Sequence, residues 1–154
     1  MAVYFLDSSG VVKRYVTENG TAWVRHICNP AAGNDIYTAH VTGAESAAAI
    51  MRRVRQGGLS IVDAAIAITD LQAHLRSAYT AVFVTNGLVQ RAIDLVQHHP
   101  LRGFDAVQLA SALQVKAECA ALGIPVPIFV SADNDLNAAA AAEGLAVDNP
   151  NAHP

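Results

Sequence analysis

Short apolar runs alternate along the chain with longer segments in which apolar residues recur at helical spacing. Runs rich in β-branched and aromatic residues predict strands at 3–6, 36–39, 81–84 and 126–130, with a short fifth at 145–147. The segments between them, bounded by Gly, Pro and Asn, predict helices over 8–16, 21–28, 44–55, 60–76, 86–98, 104–122 and 133–143. This alternation predicts an α/β fold, a three-layer α/β/α sandwich with a central parallel sheet of four or five strands.

The chain has the length and composition of one globular domain. It has 154 residues, of which 53% are hydrophobic and 15% charged, a composition typical of an ordered core. Because no linker or repeat interrupts the pattern, we predict a single domain over residues 1–150, followed by a flexible tail over 151–154.

Charge and cysteine content narrow the classes of function. With a net charge of −3, the chain lacks the excess of basic residues found in most nucleic-acid binding proteins. Any contact with phosphates would therefore depend on local cations. Two isolated cysteines exclude a thiolate metal knuckle and favour a reduced, cytoplasmic protein. No signal-like or membrane-length apolar segment is present, so we expect no membrane association. The candidate local cations are Lys13, Arg14, Arg52, Arg53, Arg55 and Arg102.

Four acidic residues follow the predicted strands or begin predicted helices. Asp7 ends the first strand, Glu45 follows the second, and Asp133 follows the fourth, while Asp105 begins a helix with largely apolar neighbours. Ligands of an open parallel sheet bind outside the carboxyl ends of its strands. We therefore expect these four carboxylates to meet at one edge of the sheet.

Each acid also has a simpler interpretation. Asp7 fits a cap or turn, Thr42 to Glu45 fits a capping box, and Asp105 and Asp133 fit the first turns of helices. The set is more specific than its members, because four clustered carboxylates repel one another unless a cation neutralises them.

A divalent cation held by carboxylates indicates phosphodiester hydrolysis. Mg²⁺ prefers such hard oxygen ligands, acidifies bound water and offsets charge on a leaving oxygen. A carboxylate that is not bound to metal would serve as proton acceptor. Ser9 and Ser131, beside two of the acids, are candidates to bind substrate phosphate or to orient a carboxylate, and helix capping is the alternative for both.

Four segments together carry a resemblance to a known family: FLDSSGVVKRY, VTGAESAAAI, LRGFDAVQLASAL and FVSADNDLNAAAAAEGL. In order and setting, their acids resemble the PIN domain, particularly the VapC-like toxin ribonucleases, from Val3 to about Pro150. The resemblance implies Mg²⁺- or Mn²⁺-dependent RNA cleavage, with Asp7, Glu45, Asp105 and Asp133 as metal-binding and catalytic residues. It also implies a homodimer and, in the toxin branch, a partner antitoxin that occludes the site.

The sequence departs from this pattern at Gly10, where a small aliphatic residue is usual, and at Ser46, where an apolar residue normally follows the glutamate. Asp135 leaves open whether Asp133 alone fills the fourth acidic position, since both lie in a predicted first helical turn.

Two other functions compete with the nuclease. An enzyme with an aspartyl nucleophile at Asp7 is disfavoured, because Ser8-Ser9-Gly10 supplies no second aspartate and no receiver-like acid pair is evident. A catalytically silent PIN-like scaffold that binds RNA or protein is the main alternative. The complete set of four acids disfavours it, because an inert site has no need to hold repelling carboxylates together.

Overall fold

The computed structural model describes residues 1–154 and has a single five-stranded sheet at its centre. The strand order is β3-β2-β1-β4-β5, and every neighbouring pair is parallel. The predicted α/β sandwich with a parallel sheet is therefore confirmed, with all five strands present. The strands are β1 (Val3–Leu6), β2 (Asp35–Ala39), β3 (Thr80–Val82), β4 (Ile128–Val130) and β5 (Ala146–Asp148).

Seven α-helices cover the two faces of this sheet. Helices α1 to α4 contribute to an apolar core on one face, and α5 to α7 contribute to a second core on the other. The helices are α1 (Ser8–Val12), α2 (Thr21–Ile27), α3 (Thr42–Arg55), α4 (Ile61–Ser77), α5 (Asn86–His98), α6 (Gly103–Leu122) and α7 (Asn134–Ala142).

The two cores follow from the alternation of side chains along a strand. In β1, Phe5 packs in the core with α5 to α7, whereas Leu6 packs in the core with α1 to α4. Neighbouring β4 alternates in the same way, with Phe129 on one side and Val130 on the other. The rings of Phe5 and Phe129 stack with centroids 5.8 Å apart. Because both faces are covered, β1 and β4 carry hydrophobic residues at every position.

The predicted elements occur in the predicted order, with bounds that differ mainly at α1. The sequence predicts a helix to residue 16, whereas α1 ends at Val12. The amides of Arg14 and Tyr15 bond carbonyls three residues back, at Val11 and Val12, so the last turn tightens and the helix does not continue.

The C-terminal residues differ from the flexible tail predicted at 151–154. Residues Pro150–Ala152 form a 3-10 turn, and the side chain of Asn151 accepts a hydrogen bond from Lys13 Nζ at 2.8 Å. The His153 ring stacks on Trp23 with centroids 4.3 Å apart, and its Nε2 lies 2.7 Å from Asp148 Oδ1. These contacts with distant residues hold the tail against α2, which a local sequence pattern does not reveal.

Two further observations bear on environment. None of the seven α-helices combines the length and the apolar composition that a membrane-spanning helix needs. Cys28 and Cys119 are free thiols, and both are buried in the cores.

Candidate active site

The carboxyl ends of three adjacent strands, β2, β1 and β4, form the edge at which the predicted acids lie. From β1 the chain crosses to β2 on one side, and it later returns to β4 on the other side. The carboxyl ends of β1 and β4 therefore lie at the topological switch point, where open α/β sheets bind ligands. Asp7 follows β1 directly, and Ser131 follows β4.

Asp7 is buried, with 4% of its surface exposed, and both of its carboxylate oxygens accept hydrogen bonds. Oδ1 accepts from the Ser9 hydroxyl at 2.7 Å and from the Gly10 amide at 2.8 Å, and Oδ2 accepts from the Ser131 hydroxyl at 2.8 Å. The bond from Gly10 caps α1, so the cap interpretation of Asp7 is correct. The bonds from the two serines fix the carboxylate between β1 and β4.

The environment of Asp7 makes its charge costly. Burial raises the pKa of its carboxyl to about 6; hydrogen bonds from Ser9, Gly10 and Ser131 oppose this rise, and the charge of Glu45 adds to it. Because the charge of Glu45 affects the pKa of Asp7, the two carboxylates repel each other when both are ionised. A cation at this edge would relieve both the burial cost and the repulsion.

Glu45 is oriented by residues from two other helices. Its Oε2 accepts from the Ser8 hydroxyl at 3.1 Å, and its Oε1 accepts from Gln108 Nε2 at 3.0 Å. Gln108, which is 1% exposed, also donates to Thr42 Oγ1 at 2.9 Å. Helix α3 begins after Val41 without a side-chain cap, so Thr42 and Glu45 do not form the capping box that the sequence allowed. The Glu45 carboxylate is thus held for contacts outside its own helix.

Asp105 lies in the first turn of α6 and is about half buried. Burial raises the pKa of its carboxyl and the charge of Asp133 raises it further, while a hydrogen bond from the Arg102 amide and the Arg102 charge oppose the shift. Its place in the first turn of α6 fits the simpler interpretation, in which Asp105 complements the helix dipole. The interaction with Asp133 adds a second pair of mutually repelling carboxylates.

Asp133 caps α7, since its Oδ1 accepts from the amides of Asp135 and Leu136 at 2.9 and 3.1 Å. Its own amide donates to Ser131 Oγ at 3.0 Å, and that hydroxyl donates to Asp7. The structure places Asp133 and Asp135 in different surroundings. Asp133 is linked to Asp7 through Ser131 and interacts with Asp105, whereas the carboxylate of Asp135 makes no hydrogen bond in the structure.

The charges of the acids act on one another in two pairs, Asp7 with Glu45 and Asp105 with Asp133. No three Asp, Glu, His or Cys side chains converge closely enough to enclose a metal ion by themselves. The donor chemistry nevertheless fits Mg²⁺, which commonly binds one or two carboxylates, retains several waters and takes further oxygens from a substrate phosphate. The roles of the four acids in metal binding and catalysis stay a prediction.

Three polar residues of the site were not predicted as functional: Ser8, Gln108 and Asn137. Ser8 and Gln108 hold Glu45, and Asn137 Nδ2 donates to the Ser131 carbonyl at 2.8 Å. Gln108 had a detectable signal, since it is a polar residue within an otherwise apolar helical segment that buries it. Ser8 and Asn137 give no such signal, because serine and asparagine near helix starts are common.

The two departures from the family pattern differ in how well the structure accommodates them. A Cβ atom on Gly10 would lie 3.0 Å from the Val130 carbonyl oxygen, closer than most such contacts, so glycine suits the approach of α1 to β4. The Ser46 hydroxyl is buried without a hydrogen-bond partner.

Comparisons with known proteins identify solved structures only. No protein-family model and no curated protein sequence matches the chain. The chain is similar to VapC20 of Mycobacterium tuberculosis, described as a sarcin-ricin loop cleaving toxin, with a TM-score of 0.62 and 17% identity over 99% of this chain and 100% of that one.

Two other structures give similar values. PAE2754 of Pyrobaculum aerophilum matches with a TM-score of 0.60 and 14% identity, over 98% of this chain and 85% of that one. VapBC2 of Rickettsia felis, bound to a DNA fragment from its promoter, matches with a TM-score of 0.59 and 12% identity, over 96% and 98%. At these identities the likeness shows the fold, which is the three-layer PIN-like fold seen in VapC toxins.

Proposed function

We propose that this protein is a Mg²⁺- or Mn²⁺-dependent endoribonuclease and the toxin of a type II toxin-antitoxin pair. The observation that carries the proposal is the placement of two pairs of carboxylates at the carboxyl ends of the strands. The two charges within each pair repel each other, and Asp7 and Glu45 are each oriented by hydrogen bonds from other elements. Maintaining such an arrangement costs stability, and a bound cation with a phosphodiester would offset that cost. The VapC-like fold supports the same conclusion.

The reaction is hydrolysis of an RNA phosphodiester. A bound Mg²⁺ or Mn²⁺ would supply an acidified water and stabilise charge on the phosphate oxygens. Asp7 and Glu45, fixed and pointing to one edge, are suited to hold the cation, and Asp133 extends the ligand set through its second oxygen. As the water oxygen bonds to phosphorus and the ester P–O bond breaks, a carboxylate takes the water's proton. Asp105 suits this role because it is only half-buried in the first turn of α6 and so is accessible to a water at the edge.

Pairing with an antitoxin and formation of a homodimer belong to the same proposal. The Rickettsia felis structure contains VapBC2 bound to promoter DNA, which supports a protein partner for a chain of this fold. Sedimentation of the purified protein at several concentrations measures self-association directly. A strictly monomeric species would contradict the homodimer and leave the nuclease proposal unaffected.

The decisive experiment is cleavage of a mixed pool of structured RNAs by wild type and Asp105→Asn, with Mg²⁺, Mn²⁺ or chelator. We expect cleavage by the wild type that requires the metal and falls at least roughly 100-fold in the variant, because the variant loses a carboxylate that reacts or binds metal. Circular dichroism verifies that the variant is folded. Equal activity of the two proteins would indicate a contaminant, and two inert but folded proteins that bind RNA would establish the scaffold alternative.

A further inference from the structure

A groove of about 380 Å³ opens beside the acidic edge, between α1, the loop that follows it and α3. Ser8, Ser9 and Glu45 lie at its catalytic end, and Arg52 and Arg53 line it further along α3. It therefore joins the proposed active site directly to a basic surface. An RNA strand with one phosphate at the acids would continue along this groove.

The floor of this groove is one face of α3. Glu45, Ala48, Ala49 and Arg52 stand at spacings of three, four and seven residues, which places them on the same side of a helix. The two alanines leave room above the helix. Arg52 lies about 10 Å along the axis from Glu45, at 1.5 Å rise per residue.

Two of the cations that line the groove already have protein partners. Lys13, which is 4% exposed, donates to Glu18 Oε1 at 3.0 Å, to the Asn19 carbonyl at 2.8 Å and to Asn151 Oδ1 at 2.8 Å. All three donors of its ammonium group are thus used. Arg53 forms an ion pair with the other oxygen of Glu18. Glu18 therefore binds both Lys13 and Arg53, and the three side chains form part of the groove wall.

Arg52 differs from these two cations. Its side chain is exposed and makes no hydrogen bond or ion pair with the protein, so all of its guanidinium donors are available. A guanidinium matches the geometry of a phosphate and binds it through two parallel hydrogen bonds. A cation next to an acidic site also offsets the repulsion that an approaching polyanion meets.

We propose that Arg52 binds a phosphate of single-stranded RNA flanking the one at the acidic edge, and so positions the strand for cleavage. The Lys13–Glu18–Arg53 network, closed by Asn151, shapes the wall against which this strand lies. The inference rests on the proposed ribonuclease function and adds the residue that fixes the substrate backbone. Contact with the backbone alone implies that Arg52 contributes equally to all sequences.

The test compares Arg52→Gln with Arg55→Gln, both made in the Asp105→Asn background so that RNA stays intact. Arg55 is an exposed cation of the same helix end that does not line the groove, which makes it a matched control. Binding of a fluorescent single-stranded oligoribonucleotide is measured by anisotropy across salt concentrations. We expect Arg52→Gln to weaken binding roughly tenfold, as for a charge-assisted contact.

The salt dependence identifies a phosphate contact specifically. Arg52→Gln should reduce the slope of log K against log salt by about 0.7, the value for one phosphate of a single strand. Arg55→Gln should leave that slope unchanged and the affinity within about twofold. Arg52→Lys should restore the slope but only part of the affinity, because an ammonium lacks the paired donors of a guanidinium.

Several outcomes would overturn the inference. Equal effects of the two Gln variants would mean that general electrostatics acts in place of a site, and no effect of Arg52→Gln would remove Arg52 from the interface. Unchanged RNA affinity with lost binding of a hexaglutamate peptide would assign Arg52 to a protein partner. If the unmodified protein neither bound nor cleaved RNA, the proposed function itself would fail, whereas wild-type cleavage by Arg52→Gln, made for this comparison with Asp105 intact, would refute only this inference.

Discussion

The two halves of the acidic edge are built differently. Asp7 and Glu45 are held by hydrogen bonds from side chains of distant segments, including Ser131 and Gln108. The Asp133 carboxylate accepts only from backbone amides at the start of its own helix, and Asp105 lies in the first turn of α6. In the first pair Asp7 is buried and both carboxylates are fixed by side chains, whereas in the second pair Asp133 is exposed and less constrained. Fold stability should therefore depend on the first half, while both halves should matter for catalysis.

The largest expected effect separates Asp133 from its neighbour Asp135. Asp133→Asn should reduce metal-dependent RNA cleavage at least roughly 100-fold, because it removes a carboxylate that is proposed to bind the metal. Asp135→Asn should leave the rate within about twofold, since that carboxylate makes no hydrogen bond in the site. Initial rates on a single RNA substrate measure both. Comparable losses in the two variants would mean that both carboxylates share the fourth position.

The next prediction concerns stability. At pH 4, where the raised pKa keeps Asp7 uncharged in the folded protein, Asp7→Ala leaves Ser9, Gly10 and Ser131 without their acceptor and should lower the free energy of unfolding by about 2–4 kcal/mol. Asp105→Ala should change it by less than about 0.5 kcal/mol, because relief of repulsion from Asp133 offsets the lost attraction to Arg102. Urea denaturation in chelator measures both values. A similar loss in the two variants would erase the distinction between the halves.

The pH dependence of stability tests the buried half alone. The folded pKa of Asp7, about 6, lies above its ordinary value of 3.8, so its contribution is fully present below about pH 3.8 and is lost as pH rises through 6. In chelator, wild type should lose on the order of 3 kcal/mol from this group between pH 4 and 7 relative to Asp7→Asn. Added Mg²⁺ should reduce that loss. Parallel pH profiles for the two proteins would refute the raised pKa.

The smallest effect concerns the residue that orients Glu45. Gln108→Ala removes a buried partner of Thr42 and Glu45 and should cost about 1–2 kcal/mol of stability and lower cleavage roughly tenfold. Gln114→Ala, on the same helix, removes only a contact with Glu118 near the surface and is the control. If cleavage by Gln108→Ala stayed at the wild-type rate, Glu45 would not need this support.

Local patterns in the sequence were sufficient for most of the fold. The bounds of β1 and α5 agree with prediction, and the other strands differ by only one or two residues at an end. Such elements are set by periodicity and by caps such as Ser60 and Thr85, which bond amides within the next turn. The parallel sheet follows in turn, because short strands separated by helices have few other ways to bury both of their faces.

The place of the candidate site in the fold was predictable, but the contacts that support its residues were not. The positions of Asp7 and Asp133 after strands identified the edge, because a parallel sheet brings the carboxyl ends of its strands together. The roles of Ser8 and Gln108, 37 and 63 residues from Glu45, were not predictable, since hydrogen bonds over such separations depend on how the helices pack. The docked C-terminal turn was missed for the same reason.

By itself, the sequence determined the order of strands and helices and the four acids delivered to one edge, because these depend on residue type and short-range spacing. Only the tertiary structure decided that the Thr42 segment is not a capping box and that Lys13 is committed while Arg52 is free. The physical reason is that a polar side chain bonds whichever partner the packed chain brings within about 3 Å. In this protein that partner most often belongs to another helix or strand.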